Sequence, residues 1–451
     1  MRRLPGLDDS LLPTSAFPTI FRNRFGNAVV LLPLLILLSL CDAPPAGSDE
    51  SQRWTLDPVV QTFLRTEDAD QADRTLAAIL HRPDATLGAV DAAIAAGPRY
   101  RDEATGLQPG VPVRVKGRTF HYGLYVPASY RPTQDHALVV CLHGAGFTGD
   151  AYLERWRPRL GEGYILACPT FIAGTWWTRQ AEELVLATIR AVQTRYRIDP
   201  DRIFLTGMSN GGIGTYLIGM HHAPLFAGLA PMASGLDDVL WPFLENLRQT
   251  PVYLIHGARD QVMPVELSRA IAEELSRLGY EFQYREHDRT HPMAGGHFFP
   301  REELPALVSW FGARRRNPLP RHVTVVRDAT HLAPFGWVRI DATDPIAAFR
   351  DDLIESRDDA VRNRLYAKLD VRIAEPNRIE VHTRRVRRYS LFLNSTLVDF
   401  SKPVTVVTDG RTSFEGTVTP NVETLLRDAR RRQDRRMRFS AVVTIASESR
   451  P

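Results

Sequence analysis

A glycine-flanked serine constrains this chain more than any other feature. The segment GMSNG at 207–211 follows the apolar run RIFLT and precedes IGTYLIGMHH, a run with helical spacing. A G-x-S-x-G between a strand and a helix is a tight turn, in which side chains two residues either side of the serine would collide. The serine hydroxyl is then exposed at a helix N-terminus, where the helix dipole favours negative charge. The pattern predicts a nucleophilic Ser209.

Continuous apolar runs alternate with helical stretches through residues 111–313. The runs include HALVVCLHG, GYILACPT, RIFLTG, FAGLAPMAS and PVYLIHG, and the helical stretches include 179–196 and 265–279. Strands buried on both faces read as such runs, and intervening helices cover the faces of a parallel sheet. The predicted fold class is therefore α/β, with a mostly parallel, doubly wound sheet.

A serine nucleophile needs a base, and the base needs an orienting acid. In strand–elbow–helix enzymes the acid and then the histidine follow the serine along the chain. Asp260 comes directly after the predicted strand PVYLIHG. His297 lies in the loop after the last predicted strand. We therefore predict Asp260 as the acid and His297 as the base.

Other residues compete for the same two roles. Asp237 and Asp238 are alternative acids, although they precede the PVYLIHG strand. His291 is the alternative base, and His287 still belongs to the last predicted strand. Three histidines so close together also suggest a metal site, but no H-E-x-x-H helix is present, so we expect no metal ligands.

Acyl transfer also needs donors for the tetrahedral oxyanion. LHGAG at 142–146 ends an early predicted strand, where such donors are expected. The backbone N–H groups of Ala145 and Asn210 form the predicted oxyanion hole. Trp176 and Trp177 lie on the loop after the GYILACPT strand, and they either line a substrate pocket or pack into the core.

These motifs resemble the α/β-hydrolase superfamily. The resemblance covers about 115–313 and is carried by YGLYVPASY, VVCLHGAG, GMSNGG, HGARDQVMP and GGHF. It is closest to polyhydroxybutyrate depolymerases and feruloyl esterases, and LHGAGFTGD is similar to the phospholipase/carboxylesterase group. By similarity, Ser209, Asp260 and His297 form the triad, and Ala145 and Asn210 form the oxyanion hole. Prolyl-peptidase-like hydrolases share this constellation, and none of these enzymes needs a cofactor for the reaction.

The N-terminal region predicts export. Residues 28–40 are thirteen uncharged residues preceded by four arginines. A membrane span needs about 20 residues, so the run is typical of a signal-peptide core. Cys41 follows it and resembles a lipoprotein processing site, although Leu40 stands where a small residue is usual. Lipid anchoring at Cys41, cleavage with secretion, and an uncleaved anchor stay open, and each places the body in the cell envelope or outside the cell.

With 451 residues, the chain exceeds one ordinary domain. The sequence predicts a series of segments: signal or anchor (1–42), linker (43–53), helical segment (54–110), catalytic domain (111–313), charged linker (314–322) and β-rich accessory domain (323–451). A charged helix is predicted near 422–437, with seven arginines between 427 and 438. A charge run of this kind is usually a solvated helix face.

The charge balance of the chain limits the kinds of partner that it can bind. The net charge of +4 is too small for a basic surface that binds nucleic acid, so no nucleic-acid partner is expected. The leading hypothesis is an exported serine hydrolase acting on small or polymeric carboxylic esters, with membrane attachment through its N-terminus as one option. The alternatives are a serine peptidase of the prolyl-oligopeptidase type and a non-catalytic envelope binding protein on a hydrolase fold.

Overall fold

A computed structural model of the chain describes residues 55–328, 333–347 and 354–447, and its central feature is one large sheet. The sheet runs in the order β1-β2-β4-β3-β5-β6-β7-β8, antiparallel among β1, β2 and β4 and parallel from there on. Its strands are β1 (Gly106–Val115), β2 (Arg118–Val126), β3 (His136–Leu142), β4 (Ile165–Pro169), β5 (Ile198–Met208), β6 (Gly228–Met232), β7 (Val252–Gly257) and β8 (Phe282–His287).

Helices cover both faces of this sheet. The α-helices of the described residues are α1 (Leu56–Arg65), α2 (Ala69–Leu80), α3 (Leu87–Ala96), α4 (Gly149–Leu160), α5 (Arg179–Arg195), α6 (Asn210–His221), α7 (Val265–Arg277), α8 (Leu304–Ala313), α9 (Ile354–Arg362) and α10 (Val422–Arg432). Apolar residues of α4 and α8 pack on one face, and those of α5, α6 and α7 pack on the other. Because β6 and β7 are thereby buried along their whole length, they read as continuous apolar runs. The predicted α/β class is confirmed.

The C-terminal region adds two smaller sheets. Their strands are β9 (His322–Arg327), β10 (Val338–Thr343), β11 (Ala367–Glu375), β12 (Arg378–Arg384), β13 (Val386–Leu393), β14 (Val404–Thr408), β15 (Arg411–Gly416) and β16 (Ala441–Ala446). One sheet runs β10-β13-β16 and the other runs β15-β14-β12-β11-β9. Burial alternates along β12 and β16, as expected of strands with one solvated face.

The N-terminal helices pack on the arginine-rich helix rather than standing apart. Residues of α1, α2 and α3 share one apolar cluster with Leu425 and Leu426 of α10. The expectation of a solvated face describes Arg427, Arg431 and Arg436, which are exposed, but not the other arginines of the run. Arg432 and Asp428 form a buried pair at 2.6 Å, and Arg435 lies 2.7 Å from Asp135 of the catalytic region.

The predicted boundaries fall inside packed structure. β1 begins at Gly106, so the last residues of the predicted helical segment 54–110 belong to the large sheet. The chain from Glu50 to Pro451 forms one compact unit. The predicted export region, including Cys41, and the 43–53 linker lie outside the described residues. Within the described ranges, every helix is too short or too polar to cross a membrane.

Two buried polar residues join the C-terminal region to the catalytic region. Arg316, within the predicted 314–322 linker, donates to Asp434 at 2.7 Å and to Asp201 at 2.8 Å. The Asn246 amide donates to Met220 O at the end of α6 and to Val326 O of β9, and it accepts the Val326 N–H at 2.6 Å. The linker is thus fixed rather than free.

Arg316→Met should lower the free energy of unfolding by about 3–5 kcal/mol, because it leaves the buried Asp434 carboxylate without its counter-ion. Arg289→Met is the matched control. Arg289 also pairs with a carboxylate, Glu302 at 3.4 Å, but the two side chains are 62% and 65% exposed. Exposed pairs are worth about 0–1 kcal/mol. Urea unfolding of both variants checks the difference, and equal losses would contradict the assignment.

Candidate active site

Ser209 occupies a strained turn between β5 and α6. Its backbone has φ 59° and ψ −125°, a conformation that L-residues adopt only when the surroundings enforce it. A Cβ on Gly211 would lie 2.0 Å from Leu142 O, and one on Gly207 would lie 2.3 Å from Gly211 O. Only glycine fits at either position, so the two flanking glycines of the motif are steric requirements of the elbow.

Asp260 and His297 meet at the carboxyl edge of the same sheet. Asp260 lies in the turn after β7, and His297 lies in the loop between β8 and α8. The His297 Nδ1 atom lies 2.8 Å from Asp260 Oδ2, with the His297 side chain 10% exposed and that of Asp260 fully buried. An ionised carboxylate accepts this N–H and leaves Nε2 as the atom that can take up a proton.

A second histidine also contacts the Asp260 carboxylate. His256 Nε2, at the end of β7, lies 3.2 Å from Asp260 Oδ2 and 3.0 Å from Met263 O. Burial would raise the pKa of the Asp260 carboxyl, but hydrogen bonds from both histidines and two backbone N–H groups outweigh it and lower that pKa below its usual range. The carboxylate is therefore ionised at neutral pH.

Two glycines fix the loop that carries His297. Gly295 has φ 56° and pairs with Asp260 in an isolated β-bridge. The Gly296 N–H donates to Arg259 O at 2.9 Å. A Cβ on Gly295 would lie 2.2 Å from Arg259 O, so the loop can close on the acid turn only with glycine there.

Gly295→Ala should lower kcat by about 100-fold, because displacing a catalytic group by about 1 Å has an effect of that size. Gly279→Ala is the matched control. Gly279 also has positive φ, 70°, but a Cβ there meets nothing within 4 Å. Steady-state ester hydrolysis separates the two variants, and an equal loss of activity in both would show that backbone strain alone is responsible.

The predicted oxyanion turn lies beside the elbow. A Cβ on Gly144 would lie 3.4 Å from Met208 O and 3.6 Å from Ser209 Cβ, which places the turn carrying Ala145 next to the serine. Asn210 follows Ser209 directly as the first residue of α6. Ala145 and Asn210 therefore lie close to Ser209, and their roles as oxyanion donors stay predictions.

His143 and Trp176 hold this turn from behind. The His143 ring accepts the Phe171 N–H at Nε2 and donates from Nδ1 to Gly144 O at 2.8 Å. Burial lowers the pKa of His143, which keeps it neutral. The Trp176 indole donates to His143 O at 2.8 Å and is fully buried. Of the two alternatives left open by the sequence, core packing describes Trp176, and Trp177 is half-buried against the same core.

The competing residues lie apart from the acid–histidine pair. His291 is exposed and forms a bridge with Gly295, and its Nδ1 accepts the Met293 N–H. Asp237 and Asp238 lie beside Arg362 at the start of a 3₁₀ helix (Asp238–Leu247) that precedes β7. His287 is buried with Nε2 near Phe298 O. Among the described residues, no group of three or more potential ligands could hold a metal ion.

Sequence reasoning missed His256, although HGARDQVMP places it four residues before the acid. His256→Gln should lower kcat by about tenfold with little change in KM, since the residue orients Asp260 without reaching the substrate. His322→Gln, which removes a histidine 2.9 Å from Asp370 in the C-terminal region, is the control. A change confined to KM would contradict a positioning role.

Comparisons with known proteins find thioesterase relatives and a similar esterase structure. No family model matches the chain. An acyl-protein thioesterase 1 from Gibberella zeae is 34% identical over 129 residues, which are 27% of this chain and 51% of that protein. An acyl-protein thioesterase 1 from Neurospora crassa is 28% identical over 42% of this chain and 91% of its own length. A thermostable esterase structure has 24% identity and a TM-score of 0.39, covering 47% of this chain and 63% of its own.

The match to the Gibberella protein thus spans about half of that relative. The Neurospora match covers nearly all of its relative. Both relatives are thioesterases, which agrees with the resemblance of the sequence motifs to esterases. The mostly parallel sheet with a strained serine after β5 agrees with the fold that this resemblance implies. The chain thus has the α/β-hydrolase fold, and its relatives include thioesterases and esterases.

Proposed function

We propose that the chain is a serine hydrolase that cleaves carboxylic esters, including thioesters, through an acyl-enzyme. The observation that carries the proposal is the Asp260–His297 pair on the sheet edge where the strained Ser209 also lies. The thioesterase relatives support the same bond class. A binding protein would need neither the strained elbow nor an ionised acid held against a histidine.

In the proposed mechanism, Ser209 Oγ attacks the acyl carbon while His297 Nε2 takes the hydroxyl proton. The carbonyl electron pair moves to oxygen, which accepts hydrogen bonds from the Ala145 and Asn210 N–H groups. When the intermediate collapses, the alcohol or thiol leaves with the proton from His297. Water then repeats the two steps and releases the acid, while Asp260 stays ionised and stabilises the imidazolium.

Exposed apolar side chains support an apolar acyl group. Ile172, Val262 and Met293 are 86%, 55% and 87% exposed, well above the usual value for large apolar residues. Each belongs to a loop of the site: Ile172 follows β4, Val262 follows the acid, and Met293 precedes the base. We propose that these residues contact the acyl chain of the substrate.

Two measurements test the proposal. A fluorophosphonate probe should label the protein at Ser209, as mapped by peptide mass spectrometry. A panel of one acyl group as oxygen ester, thioester and amide should give higher kcat/KM for the two esters. Amide cleavage above ester cleavage would favour a peptidase, and absence of both labelling and turnover would favour a binding protein.

Export through the N-terminal segment is a further proposal, which rests on residues 28–41 of the sequence. Radiolabelled palmitate should be incorporated by a bacterial host expressing the full chain and lost in Cys41→Ala if Cys41 is the lipidated residue. A soluble extracellular product in both cases would instead favour simple secretion.

A further inference from the structure

A large cavity lies away from the candidate active site. It has a volume of about 1010 Å³ and is lined by residues of α1, α5 and α10, and we call it the arginine cavity. Its lining includes Ile198 and Pro200 at the start of β5, whereas Ser209 follows the end of that strand. At about 3.3 Å per residue, the strand separates the two sites by about 30 Å. The arginine cavity is therefore a separate site.

The lining carries an excess of positive charge. Seven arginines and three acidic residues line the arginine cavity. Asp73 already pairs with Arg427, and Asp434 with Arg316. Glu67 remains as the acid without an ion pair among the described residues. Within the same residues, five lining arginines have no carboxylate at ion-pair distance: Arg65, Arg114, Arg190, Arg430 and Arg431.

One of these arginines has an unsatisfied buried donor. The Arg430 Nη2 donates to Thr66 O at 2.9 Å, but its Nε is buried and has no acceptor in the described part of the chain. A buried donor without an acceptor is unfavourable, so a bound anion that accepts from Arg430 would stabilise this side chain. Arg65, Arg114, Arg190 and Arg431 are exposed and accessible to such an anion.

We propose that the arginine cavity binds a small organic anion carrying two or more phosphate or carboxylate groups. Guanidinium groups match both kinds of oxyanion in a two-bond geometry. The cavity is as large as sites for drug-sized ligands, about 300–1,000 Å³, so a single inorganic ion would fill little of it. Leu64, Tyr100 and Pro112 in the lining are at least partly exposed and provide an apolar surface for the carbon body. This site is independent of the proposed hydrolase activity.

Isothermal titration of the full chain at low salt, with tripolyphosphate and with citrate as probes, tests the proposal. The cavity variant is Arg190→Gln with Arg431→Gln, both of which lack ion pairs among the described residues. The matched control is Arg372→Gln with Arg388→Gln, two exposed arginines on β11 and β13 with the same loss of charge. At least one probe should bind the parent chain. Its Kd should rise by about tenfold or more in the cavity variant and should change by less than about twofold in the control.

Several results would overturn the site. Equal weakening in both variants would show non-specific attraction, and unchanged binding in the cavity variant would place the anion elsewhere. Failure of both probes at millimolar concentration would also refute it. If the chain bound phosphatidylglycerol vesicles but neither tripolyphosphate nor citrate, the partner of this site would be a membrane surface and not a small anion. Ester hydrolysis measured on the same samples should stay unchanged, which keeps failure of this site distinct from failure of the proposed function.

Discussion

Ser209→Ala should lower kcat for ester hydrolysis by about 10⁴–10⁶-fold, with KM and thermal stability nearly unchanged. The size follows from the role: without Oγ no acyl-enzyme forms, and only binding and the oxyanion donors remain to accelerate direct attack by water. Alanine keeps the Cβ that already occupies the elbow, so the strained turn should persist. A stopped assay with a chromogenic ester over several hours can measure the residual rate.

Ser276→Ala is the control for this substitution, because Ser276 is exposed on α7 away from the elbow. It should retain full turnover and full fluorophosphonate labelling. Labelling of Ser209→Ala at another serine, together with retained turnover, would move the nucleophile elsewhere in the chain. Loss of turnover with loss of the folded state would be detected by circular dichroism and would call for Ser209→Cys as the second variant.

His297→Asn should lower kcat by about 10³–10⁴-fold, since a serine hydroxyl without its base is rarely ionised at neutral pH. His291→Asn should change kcat by less than about threefold. The two histidines lie six residues apart on one loop, but His297 contacts the Asp260 carboxylate and His291 is exposed. The comparison therefore separates the base from its neighbour under the same assay.

A larger loss in His291→Asn than in His297→Asn would reverse the base assignment. The double variant Ser209→Ala with His297→Asn gives a further check. Residues that act as one unit are not additive, so the double variant should be no slower than Ser209→Ala alone. An additive loss would mean that His297 acts independently of the serine.

Local patterns predicted the fold of the catalytic region well. Burial on both faces forces strands such as β6 and β7 to be apolar throughout, so they are readable one at a time. The elbow also depends on nearby atoms. A side chain at Gly207 would collide with Gly211, and one at Gly211 would collide with Leu142 on the neighbouring strand. Asp260 and His297 were selected by chain order, and the structure brings them to 2.8 Å of one another. Their catalytic roles stay predictions.

Contacts between distant segments were not readable in the same way. Trp176 lies on a loop, where an aromatic residue commonly faces a ligand, but its indole N–H donates to His143 O and its side chain is buried. The arginines in and just after α10 look solvated in sequence because several of their partners, such as Asp135 for Arg435, lie hundreds of residues away. The contact of His256 with Asp260 was not predicted, because the sequence does not show whether the turn after β7 folds back onto a histidine at the end of that strand.

The Asn246 amide has a mechanical consequence. It clamps the end of the helix that begins beside Ser209 to the first strand of the C-terminal region, and Arg316 locks the same junction a short distance along the chain. The C-terminal region is therefore held in a fixed position relative to the helix that begins beside Ser209, and within the described residues it is not a module on a flexible tether.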